Sequence, residues 1–200
     1  MPVKQGSVEL LQHPASKELL QSTIPARLAY VWTDGTPRVV PIWFYWNGQE
    51  FVLGTPTKAP KLKALAKNPK VALTIDDNTF PHKVLLVLGV ARLESVNGIV
   101  PEYALAAERY FGEQQGKAWV AQLASMIRDM VRITVTPEWV GLLDFQTRFP
   151  SACHCKRYIT PLTHDHCEST SHRINCTLIV RRFRGFIGDA NRSRFSRHYS

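Results

Sequence analysis

The first 150 residues contain no cysteine. That excludes a thiol nucleophile from this part of the chain and fits a reducing, cytoplasmic setting. Histidine is almost missing there as well, with only His13 and His82. Neither is nominated as an acid or base: His13 lies in the lead-in and His82 in a loop. No acid–base residue is assigned, and no metal is expected. Long apolar runs are also lacking. The longest, residues 84–88, is far too short to cross a bilayer. The opening residues hold no apolar stretch of the signal-peptide kind, so neither export nor a membrane partner is expected. The glycines of a nucleotide-triphosphate loop are absent from the lysine-rich stretch at 54–77, which disfavours that class of ligand.

What is present is unevenly spread. The chain has 200 residues, with 25 Lys and Arg against 16 Asp and Glu, for a net charge of +9. Residues 1–150 carry 16 basic and 13 acidic side chains, or +3, and residues 151–200 carry 9 and 3, or +6. The body is thus mildly basic and the tail strongly so. A body of this length can bury roughly 70% of its unfolded surface and needs no covalent staple.

One stretch, residues 54–77, organises the rest. Phe51, Val52 and Leu53 lead in as a strand. Thr55, Lys58 and Lys61 then place a hydroxyl and two ammonium groups around a turn. Pro60 suits a first helical position. Leu62, Leu65 and Ala66 fall at helical spacing toward a core, while Lys63 and Lys67 face water. Asn68-Pro69 ends the helix and residues 71–76 resume as a strand. Lysines and a threonine beside a helix start make an anion site, most naturally for a phosphate. A lysine-rich helix that merely faces solvent accounts for the spacing equally well.

Taken in order, residues 1–25 read as a helical lead-in. Ser7 caps a first turn that His13-Pro14 ends, and Ser16 caps a second short helix. Strands are expected at 26–33, 37–46 and 50–55, joined by hairpin turns at Asp34-Gly35 and Asn47-Gly48. Pro41 inside the second strand marks an edge or a break in the ladder, where backbone groups are free to meet a ligand. Further strands are expected at 71–76, 84–94, 130–135 and 139–145, with Pro137 separating the last two. Two helices lie between them, one opened by Pro101 and one carrying Trp119 and Leu123, with a break over 112–116. The pattern gives a mainly β, α+β fold: a split β-barrel of about six or seven largely antiparallel strands with short helices. The aromatic set Trp43, Tyr45, Trp46, Phe51 and Trp139 reads as core rather than as a cofactor box.

At Ser151 the character changes. Hydrophobic patterning fades, and all four cysteines and five of the seven histidines crowd in among arginines. No cysteine pair has the C-x-x-C spacing of a zinc knuckle. Arginine clusters bind phosphate, so a nucleic-acid partner is expected only through this tail. The abruptness favours a poorly ordered extension, such as a shifted reading frame past Ala152 produces. The expected division is therefore a domain over 1–150 and a basic, Cys/His/Arg-rich tail over 151–200.

Residues 24–150 resemble the pyridoxamine 5′-phosphate oxidase-like family of flavin-binding split barrels. The resemblance rests on RVVPIWF at 38–44, TPTKAPKLKALAKNPKVALTID at 55–76, the long strand after His82-Lys83, and EWVGLLDFQTRFP at 138–150. It implies a homodimer with flavin mononucleotide (FMN) at the subunit interface, and an oxidoreductase acting on a small molecule. Some members use a deazaflavin instead and a few bind haem. By resemblance Lys61 is the phosphate-binding lysine, Thr55 the phosphate-binding hydroxyl and Lys58 a second cation. Pro41, Ile42 and Trp43 flank the isoalloxazine ring, and Lys83 lies near a position that reaches the flavin. The chain departs from the oxidases proper in three places. Ala59-Pro60 stands where they have Ser-Arg, so a bidentate contact is replaced by a point charge. Aromatic residues stand where their second strand has a lysine. Their late Arg-x-His clamp has no counterpart, because Phe149-Pro150 follows Arg148. These departures argue against vitamin B6 phosphate as the substrate.

Overall fold

The computed structural model describes residues 3–148; the expectations for residues 151–200 lie outside the described residues. The chain opens with a 3-10 helix, Val8–Gln12, whose first turn is capped by the Ser7 hydroxyl accepting from the Glu9 N–H. Helix α1, Pro14–Gln21, follows directly. His13 caps it through Nδ1, which accepts from Ala15 N–H, and Pro14 holds the first helical position. The expected Ser16 cap is thus displaced three residues earlier, to His13, because proline at the first helical position fixes the entry there. Ser16 is instead buried inside the helix.

Seven strands form one sheet: β1 Ala26–Val31, β2 Pro37–Ile42, β3 Tyr45–Trp46, β4 Phe51–Pro56, β5 Lys70–Asp76, β6 Lys83–Asn97 and β7 Asp129–Asp144. Their hydrogen-bonded order is β2-β1-β5-β6-β7-β4-β3, and every named pair is antiparallel. The two edge strands, β2 and β3, are consecutive in the chain and joined only by Trp43 and Phe44. So short a link spans at most about 10 Å. The opposite edges of the sheet must therefore meet, and the sheet curls into a barrel with one seam that carries no strand ladder. This is the split barrel that the strand pattern predicts. Pro41 lies on an edge strand, where its missing N–H costs no ladder bond.

Three boundaries differ from expectation. The spacing predicts one strand over 37–46, but the chain leaves the ladder at Trp43 to cross the seam. Pro137 is expected to divide two strands, yet β7 runs through it. A register shift opposite Leu88 and Gly89 absorbs the proline, and the Gly89 backbone approaches Thr136 so closely that a Cβ there would lie 2.3 Å from its carbonyl oxygen. Helices α3, Pro101–Phe111, and α4, Glu113–Met126, are separated at Gly112 alone, where φ is +82°. Gly116, expected within the break, lies inside α4 against the Glu108 backbone.

The core fills the barrel. Leu28, Phe51, Leu53, Leu85, Ile133 and Leu142 point inward and are fully or almost fully buried. Helix α2, Lys61–Lys67, adds Ala64 and Leu65 to the same core, and the Lys67 amine donates to the Thr33 carbonyl in the β1–β2 turn. Helix α1 packs against β5 and β6 and is tied to β6 by the Lys83–Glu18 ion pair. No helix among the described residues is long and apolar enough to cross a membrane.

Candidate functional site

The segment from β4 to α2 carries the phosphate-type side chains. Along β4, period two places Thr55 on the face of Phe51 and Leu53, and it is only 2% exposed. Its hydroxyl makes no hydrogen bond among the described residues. The chain then turns through residues 57–60, with Ala59 N–H donating to Pro56 and Lys63 N–H to Pro60. Pro60 occupies the position just before α2 rather than its first residue, and no side chain caps the helix. Lys61 opens the helix and is half-buried. Burial alone pushes its amine below the ordinary lysine value of 10.5. Among the described residues the Lys61 amine has neither an ion-pair nor a hydrogen-bond partner. A half-buried cation left without a counter-charge is destabilised until an anion arrives. Lys58 in the turn and Lys63 on the helix are exposed.

The seam carries the second group. Pro41 is exposed on β2, while Ile42 and Trp43 are partly covered. As an edge, β2 leaves backbone donors and acceptors unpaired on its far side. The Trp43 side chain turns toward the helices. Its indole stacks on Tyr110, with centroids 4.9 Å apart, and on Tyr103 at 5.6 Å, with Phe111 meeting it edge-on at 4.9 Å. Trp43 is thus held in an aromatic cluster from α3 and α4, and what the seam presents to a ligand is its backbone and Pro41. Of the aromatic set read as core, Phe51 is fully buried, Trp43, Tyr45 and Trp46 are partly covered, and Trp139 remains 37% exposed.

Lys83 stands apart. Thr55 pairs with Val131 and Val131 with Ser95, whereas Lys83 begins the same β6 strand and pairs with Asp144. Roughly 40 Å of strand contour separates Ser95 from Lys83. The Lys83 amine binds the Glu18 carboxylate at 2.5 Å, which raises its pKa. The structure therefore joins Thr55, Lys58 and Lys61 through one short turn, sets Pro41, Ile42 and Trp43 on the seam, and ties Lys83 to α1. His82 is a loop residue as expected, edge-on to Phe80 and Phe145, with Nδ1 3.0 Å from the Asp77 carbonyl. No group of three or more His, Cys, Asp or Glu among the described residues is placed to hold a metal ion.

Sequence reasoning missed Arg109. Its neighbours Tyr103, Ala107, Tyr110 and Phe111 define the apolar face of α3, so a charged residue beside them reads as solvated. The guanidinium instead donates to the carbonyls of Leu20 and Phe44 and lies over the Phe44 and Tyr110 rings.

Comparison with known proteins adds two kinds of finding. A family model described as pyridoxamine 5′-phosphate oxidase matches residues 12–144. Among solved structures, a conserved hypothetical protein from Mycobacterium tuberculosis is 23% identical, covers 72% of this chain and 91% of its own, and has a TM-score of 0.53. That likeness supports the fold. An F420 reductase is 30% identical with 62% and 94% covered, at a TM-score of 0.49. HutZ, the haem storage protein of Vibrio cholerae, is 22% identical with 66% and 93% covered, also at 0.49. No curated protein matches the sequence.

Proposed function

The chain belongs to the pyridoxamine 5′-phosphate oxidase family, and from that premise we propose that it is an FMN-dependent oxidoreductase acting on a small molecule. The observation that carries this reading is the half-buried Lys61 amine, unpartnered among the described residues and six positions from the buried Thr55 hydroxyl. An ester phosphate fits this donor set. The Lys61 ammonium would meet its negative charge and the Thr55 hydroxyl would donate a hydrogen bond to one of its oxygens, with Lys58 adding charge at the rim. Without a Ser-Arg pair before Lys61, the anchor is a point charge plus one hydroxyl rather than a fork.

When bound, the flavin supplies the hydride chemistry. The chain's own residues bind, orient and exclude water. Beyond Ile42 the chain leaves the ladder, so the Trp43 backbone would offer hydrogen-bonding groups to polar ring atoms, and the exposed Pro41 would contribute an apolar surface with no competing N–H. The aromatic cluster behind Trp43 keeps that edge rigid. No side chain is assigned as acid or base.

A homodimer is part of the proposal. Val39, Leu88 and Trp139 on β2, β6 and β7 are 61%, 48% and 37% exposed. The register aligns them in one outward row through Ala29 and Ala72. Such a band favours a second copy over water. Lys83 then serves in structure or across the dimer, not beside Lys61 of its own chain.

The test is the small molecule that copurifies with the full chain. A flavin absorption spectrum with the mass of FMN, bleached by a reduced nicotinamide nucleotide, supports the reading. The mass of a deazaflavin or of haem replaces the cofactor, and a colourless protein that fails to take up added FMN overturns it. Sedimentation of the purified protein checks the dimer, which Leu88→Glu should dissociate.

A further inference from the structure

Arg109 has an unusual set of partners for a charged side chain. It sits near the end of α3, where its apolar neighbours face the barrel. One guanidinium nitrogen donates to the Leu20 carbonyl at 3.0 Å, and another donates to the Phe44 carbonyl. The guanidinium carbon lies 4.5 Å from the Phe44 ring centroid and 5.0 Å from that of Tyr110. Its Nε is buried without a hydrogen-bond partner, and no carboxylate pairs with it among the described residues. The next residue continues the pattern, with the Tyr110 hydroxyl donating to the Ile24 carbonyl at 3.1 Å and its ring stacked on Trp43.

These contacts fasten α3 to two stretches remote from it in sequence, residues 20–24 and Phe44. Leu20 belongs to the last turn of α1, Ile24 precedes β1, and Phe44 lies in the two-residue link between β2 and β3. That link crosses the seam, the one place where no ladder holds neighbouring strands. Among the described residues the side-chain donor to the Phe44 carbonyl is Arg109. A planar fork that donates two bonds in fixed directions holds that carbonyl in one orientation, which a flexible ammonium cannot. The cation is stabilised by helix-end and seam carbonyls and by two ring faces rather than by an anion.

We propose that Arg109 is a positioning residue for the cofactor ring: by holding the Phe44 carbonyl it sets the path of residues 41–44, whose backbone faces the flavin. The inference rests on the flavin reading above, and it assigns Arg109 no contact with the flavin itself. A guanidinium that served only general stability would affect FMN no more than another of the same chemistry elsewhere. Arg148 is that comparison. It donates to the Val3 carbonyl, and its Nε is likewise buried and unpartnered.

The experiment uses the full chain and the variants Arg109→Met, Arg109→Lys and Arg148→Met. FMN is titrated by the quenching of its fluorescence, and hydrogen exchange is followed in the peptide that covers residues 41–45. Arg109→Met should weaken FMN binding by about tenfold or more, the effect of losing a charge-assisted hydrogen bond, and should speed exchange in that peptide. Arg109→Lys, which keeps the charge, should fall between it and wild type. Arg148→Met should leave both readouts near wild type even if it unfolds at lower temperature. Equal loss of FMN affinity in the Arg109→Met and Arg148→Met variants, or wild-type affinity in Arg109→Met, overturns the inference and leaves the flavin reading standing. Failure of wild type itself to bind FMN overturns both.

Discussion

The Trp43 indole and the Tyr110 ring lie face to face, 4.9 Å between centroids and 14° between planes, so the seam of the barrel is closed by a helix and not by a strand. Tyr110 holds this place with two groups at once, its ring on Trp43 and its hydroxyl on the Ile24 carbonyl. Burial pushes its phenol above the ordinary tyrosine value, because the ionised form loses part of its hydration. Tyr110→Phe keeps the stack and removes the hydrogen bond. It should cost about 1 kcal/mol of stability, read from the midpoint of urea unfolding. A loss several times larger would mean that the stack itself depends on the hydroxyl.

Lys61 and Lys63 differ by two positions and by half a helical turn. Lys61→Ala should weaken FMN binding by about 1.5 kcal/mol, the low end for a charge-assisted phosphate contact, since the amine keeps some access to water. Lys63→Ala should change it little. Fluorescence titration of both variants checks this, and equal losses would point to bulk charge instead of a site.

The same amine gives a pH dependence. Burial lowers the folded pKa of Lys61 below 10.5. In the window between that lowered value and 10.5 the unfolded chain binds more protons than the folded one, so stability without ligand rises with pH there. Phosphate binding runs the other way, because it needs the ammonium. FMN affinity of wild type should therefore fall as pH rises toward 10.5, beginning earlier than for an exposed lysine. In Lys61→Ala the early onset of the decline should be absent, and an unchanged onset would remove Lys61 from the site.

The fold was legible where local chemistry decides it. Asn47-Gly48 forms its hairpin, and the Asn47 side chain accepts from the N–H groups of Gln49 and Glu50 as that turn requires. The strand expected at 130–135 is there within β7, and its Val131, Ile133 and Val135 are buried in the core. What stayed hidden is set by tertiary context. The break at Trp43 follows from the need to cross the seam, which no pattern within 37–46 reveals. Pro137 passes through β7 only because Gly89 on the neighbouring strand lets it. Helix spacing set Lys61 apart from the water-facing Lys63 and Lys67, but it did not reveal that the Lys61 amine is half-buried and without a partner among the described residues. Arg109 gave no signal, because its partners are main-chain carbonyls, which every residue has.

Gly89→Ala tests the bulge. A methyl group there would lie 2.3 Å from the Thr136 oxygen, an atom that cannot rotate away. The variant should lose about 1–3 kcal/mol in denaturant unfolding, since one strand must shift to make room. Gly35→Ala is a poor control, because φ is +90° there.

The strand order also governs when the molecule can fold. β4 pairs only with β3 and β7, and β7 is synthesised after both long helices. While the ribosome is still making α3 and α4, β4 lacks its long ladder partner, and Phe51 and Leu53 lack Val135 and Ile133 opposite them. Closure is therefore a late, non-local event of the kind that slows folding. A nascent chain held before Asp129 should attract chaperones through exposed Phe51 and Leu53, and release them once β7 emerges.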